Sequence, residues 1–263
     1  FPIDRPRIVE AIEHDGDLLR LRCRGGERYS AAAVVSATGT WSKPYVPEYP
    51  GAAQFTGTQL HSGHYRDARP FAGQRVAIVG GGNSGAQILA ELSLVAETIW
   101  ITLRDPTFLP DDVDGRVLFE RATARVRGAD ASTATSGLGD IVMIPSVKSA
   151  RDRGVLTAVR SFERLTPTGL AWRDGTESEV DAIIWCTGFL PATDRLKTLG
   201  IVAADGRVKV LNQRSVDEPR LWLAGYGNWT GAASATLIGA ARTARDLAPR
   251  IVNALADHQR PVR

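Results

Sequence analysis

Three glycines, Gly80, Gly82 and Gly85, form a G-x-G-x-x-G pattern. The apolar, β-branched run Arg75–Val79 leads into it, and an Ala/Leu-rich stretch to about residue 96 leaves it. A second apolar run, residues 98–103, ends on Arg104. Strand, glycine turn, helix and strand is the order that sets a pyrophosphate against a helix N-terminus. Gly80 permits the tight turn, Gly82 lets backbone N–H groups approach phosphate oxygens, and Gly85 lets the helix pack hard on the strand. The positive end of the helix dipole then faces the phosphates. In NAD-binding units an acid about 20 residues past the glycines takes the ribose 2′-hydroxyl. Arg104 stands there instead, 19 residues after Gly85. A guanidinium suits the 2′-phosphate of NADP, so NADP is favoured. The alternative for Arg104 is a solvated arginine at a strand end, and neighbouring Asp105 keeps NAD open.

Further elements must carry this unit. Residues 8–13 and 18–24, joined around Asp15-Gly16-Asp17, read as a β-hairpin, with residues 28–32 as a further strand. Residues 34–39 and 183–188 are both strands ending in Thr-Gly, at Thr38-Gly39 and Thr187-Gly188. Such ends sit beside a bound nucleotide in an open α/β sheet. The proline-broken stretch 43–51 cannot be a regular helix or central strand and reads as a crossing linker. Residues 55–67 read as a polar, aromatic loop. Past Arg104, residues 106–115 are turn-rich, 117–126 read as a helix, and 127–139 as a mobile loop. Residues 155–164, 169–173 and 180–186 read as three strands, followed by short strands at 208–211 and 221–224. The loop from Gly225 to Gly231 leads into a last helix from about residue 233. Its expected buried face is Leu237, Ala241, Ala244, Ala248, Ile251 and Leu255. A glycine loop before a helix N-terminus is a second candidate anion site. The alternative is a helix capped by Thr230 or Ser234 with no ligand.

The bulk properties bound the class. The chain has 263 residues, 43% hydrophobic and 23% charged, enough to bury a sizeable core. The net charge of +3, with dispersed arginines, fits anionic cofactors and argues against a nucleic-acid surface. No run approaches the length of a membrane span, and no N-terminal signal pattern is visible. The two cysteines, Cys23 and Cys186, form no CxxC and read as small buried hydrophobes. With only four histidines, a Cys/His metal site is not expected. A reducing cytoplasm fits this usage. A homo-oligomer is neither required nor opposed.

Together these pieces resemble the flavin-containing monooxygenases, within the flavoproteins that carry two dinucleotide-binding domains. The resemblance rests on Ser36-Ala37-Thr38-Gly39-Thr40-Trp41 with Pro44, and on Phe55-x-Gly57-x-x-x-His61-Ser62-x-x-Tyr65. It continues in residues 80–85, where Asn83 and Ser84 fill the glycine pattern, and in Cys186-Thr187-Gly188-Phe189. The ending Gly225-Tyr226-Gly227-Asn228-Trp229-Thr230-Gly231 is similar to a bacterial branch that includes arsenic-associated flavin monooxygenases. Baeyer–Villiger monooxygenases carry a similar histidine loop ending in Trp. Tyr65 at that position is closer to the N- and S-oxygenating group.

The resemblance implies an α/β, three-layer Rossmann-like FAD/NAD(P)-binding fold. An NADP domain, residues 74–189, would be inserted in a partial FAD domain made of residues 1–73 and 190–263. FAD and NADP are the implied cofactors, and a small molecule and O2 the substrates. The family's first FAD-binding βαβ unit, with its own glycine fingerprint, has no counterpart here, so Phe1 corresponds to a point well inside a family member. The implied cofactor-binding residues are Gly80, Gly82, Asn83, Ser84, Gly85 and Arg104; His61 and Ser62; Thr38, Gly39 and Trp41; and Thr187, Gly188, Gly225 and Asn228. For His61, a loop histidine bonding backbone is the alternative. The implied reaction is reduction of FAD by NADPH, capture of O2 as a C4a-hydroperoxyflavin, and attack by a soft nitrogen, sulfur or arsenic centre on the distal oxygen. No acid–base pair is named. A Baeyer–Villiger enzyme and a non-catalytic NADP-binding module remain the alternatives, and a disulfide reductase is disfavoured by the missing CxxC.

Overall fold

The computed structural model describes residues 3–113, 140–231 and 233–258. The expected helix at 117–126 and loop at 127–139 lie outside them. The turn at Gly16, with φ +57°, brings β1 (Val9–Asp15) and β2 (Leu18–Cys23) together antiparallel. β3 (Arg28–Ala31) completes a three-stranded sheet, and β4 (Val34–Ser36) opens another.

The chain divides into two compact units, Pro44–Gly188 and the combination of Phe1–Lys43 with Phe189–Arg263. The inserted unit therefore starts some thirty positions earlier than the expected residue 74. Its first strand explains this: β5 (Thr58–His61), inside the stretch read as a loop, pairs parallel with β12 (Ala182–Trp185). Thr58 and Gln59 are exposed and the strand has four residues, so it carries little apolar signal.

The inserted unit is built on a five-stranded parallel sheet. Its order is β5, β12, β6 (Arg75–Val79), β7 (Glu97–Thr102) and β8 (Ala158–Arg160). Strands buried on both faces read as continuous apolar runs, and here alternate side chains go to different cores. Val76, Ile78, Ala182 and Ile184 pack beneath α1 (Asn83–Leu92) and α2 (Pro145–Asp152). Ala77, Val79, Ile183 and Trp185 pack with Phe162, Leu165 and Leu170 on the opposite face. That face is covered by an antiparallel sheet of β9 (Arg164–Thr166), β10 (Gly169–Ala171) and β11 (Glu177–Glu179). Helices, parallel sheet and small sheet are three layers of an α/β fold. α2 went unseen because its eight residues, with Lys148, Arg151 and Asp152 among them, bury only Val147 and Ala150.

The second unit resumes with β13 (Val210–Leu211), β14 (Arg214–Ser215) and β15 (Leu221–Leu223), which run into β4 in the order β13-β14-β15-β4. Only β15 and β4 are parallel. α3 (Leu237–His258) begins four residues later than expected, after a turn in which Ala233 has φ +56°. Its buried positions are Gly239, Thr243 and Leu247; of the expected face Ile251 and Leu255 are half-buried, while Leu237 is 93% exposed and Ala241, Ala244 and Ala248 are exposed. Evenly spaced alanines mimic an apolar stripe but commit little area to burial, so the pattern misplaced the face in the first half of the helix and met it only at Ile251 and Leu255. Among the described residues no helix is long and apolar enough to cross a membrane.

Candidate nucleotide-binding site

The order of the parallel sheet reverses beside β6: β7 lies on one side and β12 returns on the other. The crevice beyond the carboxyl ends of strands at such a switch point is where doubly wound sheets hold ligands. A cavity of about 670 Å³ opens there, lined in part by Val79, Gly80, Gly81, Arg104, Cys186 and Thr187.

The three glycines of the turn differ in why they are glycine. Gly80 has φ +136°, and a Cβ on it would stand 2.2 Å from the Cys186 carbonyl oxygen. A Cβ on Gly85 would stand 2.1 Å from the Gly80 carbonyl oxygen, which also accepts the Trp100 indole N–H at 2.9 Å. Both are demanded by the chain's own packing. Gly82 is not: its φ is −104° and a Cβ there would meet nothing within 4 Å. It is the N-cap of α1 and offers no side-chain cap, so among the described residues no cap side chain takes up the first-turn N–H groups.

The flanking residues divide. Ser84 is exposed in the first turn of α1. The Asn83 amide is engaged in the protein, its Nδ2 donating to the Asp140 carbonyl at 2.9 Å and its Oδ1 accepting from Val142 N–H at 2.8 Å. Arg104 is exposed on the cavity wall and forms no ion pair among the described residues. Its neighbour Asp105 is paired with Arg160 at 2.9 Å.

His61 ends β5 and is 5% exposed. Its Nδ1 accepts the Gly63 N–H at 3.0 Å, so Nε2 carries the proton and donates to the Gly188 carbonyl at 2.8 Å. Burial pulls its pKa below the ordinary 6.5, so the ring is neutral. The same Gly188 carbonyl accepts the Tyr45 N–H at 2.9 Å, and the Thr187 hydroxyl donates to the Tyr45 carbonyl. Thus the Thr-Gly end of β12, with Gly188 at φ +79°, is pinned from two directions. Ser62 hydrogen-bonds the Cys186 thiol, whose pKa burial pushes up to about 12.

In the second unit the side chains are largely engaged. The Thr38 hydroxyl donates to the Ala192 carbonyl at 2.9 Å and meets the Tyr226 hydroxyl at 2.6 Å, which also meets Ser36 at 2.5 Å. Gly39, at φ +60°, approaches the Gly225 carbonyl so closely that a Cβ would lie 3.3 Å from it. Trp41 stacks on Phe189 with centroids 5.2 Å apart. Asn228 is exposed, and its Oδ1 accepts the Ala233 N–H at 3.4 Å. Thr230 and Ser234 hydroxyls accept the Tyr226 and Gly227 N–H groups at 3.1 Å, and Thr236 caps Gly239 at 3.1 Å. Two N–H groups of this loop are thus taken up by hydroxyls, and the helix that follows is capped by Thr236, not by Thr230 or Ser234. Tyr45 and Ser161 also line the cavity, without a motif to announce them. No group of ligating side chains that could hold a metal occurs among the described residues.

The sequence profile of the pyridine nucleotide-disulphide oxidoreductases matches residues 1–117, although this chain has no CxxC and its cysteines are free. Among curated proteins, an indole-3-pyruvate monooxygenase of Oryza sativa subsp. japonica is 27% identical over 206 residues, 65% of this chain and 50% of that one. This chain thus spans about half the length of that relative. An uncharacterised oxidoreductase of Geobacillus kaustophilus is 25% identical over 245 residues, 91% of this chain and 69% of its own. The solved structure of a flavin-containing monooxygenase from Stenotrophomonas maltophilia is 52% identical, with a TM-score of 0.85, over 97% of this chain and 72% of that one. With identity of that level sustained over that share of both chains, and with the glycine turn and Thr-Gly strand ends in the positions described, the chain belongs to the flavin-containing monooxygenase family.

Proposed function

We propose that residues 44–188 bind NADPH and that the chain serves a flavin-dependent monooxygenase, with FAD and NADP as cofactors. What supports the first half is that Gly80 and Gly81 of the turn line one cavity with Arg104, which has no ion pair among the described residues, and that the turn runs on into open Gly82 at a helix start without a side-chain cap. Phosphate oxygens match the N–H groups of a helix start, and a 2′-phosphate matches a guanidinium. Family membership supports the second half. A small molecule with a soft nitrogen, sulfur or arsenic centre is the proposed substrate, O2 the co-substrate, and the cytoplasm the proposed location.

The chain's own residues would bind, orient and stay inert. The β6–α1 turn would hold the pyrophosphate and Arg104 the adenosine end. Neutral His61 keeps the Gly188 turn in register without adding a charge. The Cys186 thiol, held protonated by burial, is a slow nucleophile and a poor target for an oxidant in the same cavity. The other unit fits a flavin in part: Gly39 and Gly225 face each other at the ends of adjacent parallel strands, but the loop donors nearby are already bonded to hydroxyls. When bound, reduced flavin supplies the activation of O2.

The test is an absorbance spectrum of the chain with FAD and then NADPH, beside a titration with NADPH and NADH. A flavin spectrum that bleaches with NADPH and recovers in air is the expected result. A colourless chain that still binds NADPH limits the function to a nucleotide-binding module. Equal affinity for NADH and NADPH overturns the cofactor assignment. Sulfoxide from a thioether, rather than ester from a cyclic ketone, separates the proposed reaction from Baeyer–Villiger chemistry.

A further inference from the structure

The residue after Arg104 is an acid, and an acid is the wrong neighbour for a phosphate. At the end of β7 a free carboxylate favours the ribose 2′-hydroxyl and repels a 2′-phosphate. Asp105 is 87% exposed at its side chain, so desolvation does not silence it. What faces it is a residue from another strand. Thr102 of β7 is in register with Arg160 of β8, so the Arg160 side chain stands beside the segment that follows β7. Its Nη2 donates to the Asp105 carboxylate at 2.9 Å, and its Nη1 to the Leu103 carbonyl at 3.3 Å. One guanidinium therefore contacts the residues on both sides of Arg104, and leaves Arg104 itself unopposed. Trp172 closes the arrangement from below, its indole N–H donating to the Arg160 carbonyl at 2.8 Å.

We infer that Arg160 is a positioning residue that decides the nucleotide preference of the cavity by masking Asp105, so that Arg104 meets a 2′-phosphate without a competing negative charge. This rests on the reading of the cavity as an NADPH site. With Arg160 in place the segment 104–105 and its partner carry a net positive charge. Without it, Arg104 and Asp105 cancel, and the freed carboxylate becomes the ribose acceptor typical of an NAD site. The pair is exposed and so contributes little to folding. Its effect is on which ligand is bound.

The experiment is equilibrium binding of NADPH and of NADH to the whole chain, followed by nucleotide fluorescence, for wild type, Arg160→Ala, Asp105→Asn and the double variant. Arg160→Ala is expected to weaken NADPH by about tenfold and to leave NADH as tight as in wild type or tighter, so that the preference collapses. In the double variant, removing the exposed charge is expected to restore the NADPH preference to within about threefold of wild type. Restoration is the decisive readout, because a guanidinium that touched the phosphate directly, or merely held the fold, would not be replaced by Asp105→Asn. A double variant as weak as Arg160→Ala overturns the inference, as does an Arg160→Ala chain that keeps the wild-type preference. A wild-type chain that binds neither nucleotide overturns the cavity reading along with it.

Discussion

Gly82 and Gly80 separate ligand from fold within one turn. Alanine at Gly82 enters open space at an ordinary φ, so stability should stay within about 1 kcal/mol of wild type while NADPH affinity falls at least tenfold. Alanine at Gly80 collides with the Cys186 carbonyl at a positive φ and should cost more than about 3 kcal/mol. Denaturant melts and nucleotide titrations on the two variants check both statements. His61 makes a pH prediction with a definite sign. Its folded pKa lies below its unfolded 6.5. The unfolded chain therefore binds the proton first, and the stability it contributes is whole above about pH 6.5 and lost on acidification. His61→Asn should flatten the fall in stability between roughly pH 7 and pH 5 and should cost about 1–3 kcal/mol at neutral pH, from the lost backbone bonds. Gly85 was legible because the carbonyl it approaches, that of Gly80, lies five residues away, and Gly80 because its positive φ marks the turn itself, although the carbonyl it approaches belongs to distant Cys186. The engagement of Asn83 and Thr38 was not, since their partners lie 57 and 154 positions away.

At the scale of elements, the strands that face apolar layers on both sides were the readable ones. β6 and β12 have no polar face to confuse the pattern, and their positions in sequence follow from runs of Val, Ile and Ala. β5, β11 and α2 were missed because each is short and half-exposed, so tertiary pairing and not local composition makes them. The start of α1 depends on a long-range tie: Asn83 binds both Asp140 and Val142. Asn83→Ala should remove both bonds and cost about 1–3 kcal/mol, with amide exchange at Val142 rising more than at the centre of β6. If exchange rises equally at both, the tie is not local and this account of the helix start is wrong.

For the molecule as a whole, the two-unit organisation follows from topology. The inserted unit encloses a continuous parallel sheet, β5 to β8, within residues 44–188, and the cavity lies inside it. Saturating NADPH should therefore stabilise this unit by mass action, by about 2.7 kcal/mol at a hundredfold excess over Kd, with a matching rise in its thermal transition. NADH at the same concentration should produce a smaller rise. The fold class was legible because one glycine fingerprint with its flanking strands fixes the architecture around it. The boundary at residue 44 was not, because it depends on which strand the exposed segment before β6 joins.

The indole of Trp100 is 1% exposed, and its N–H points at the carbonyl of Gly80. That bond makes an intrinsic chromophore part of the glycine turn itself. Its emission responds to a change at this carbonyl, so subtracting the spectrum of a Trp100→Phe chain isolates an optical signal from the indole that the turn holds. Rearrangements of the turn are thereby observable in real time, without a label and without waiting for a product to form.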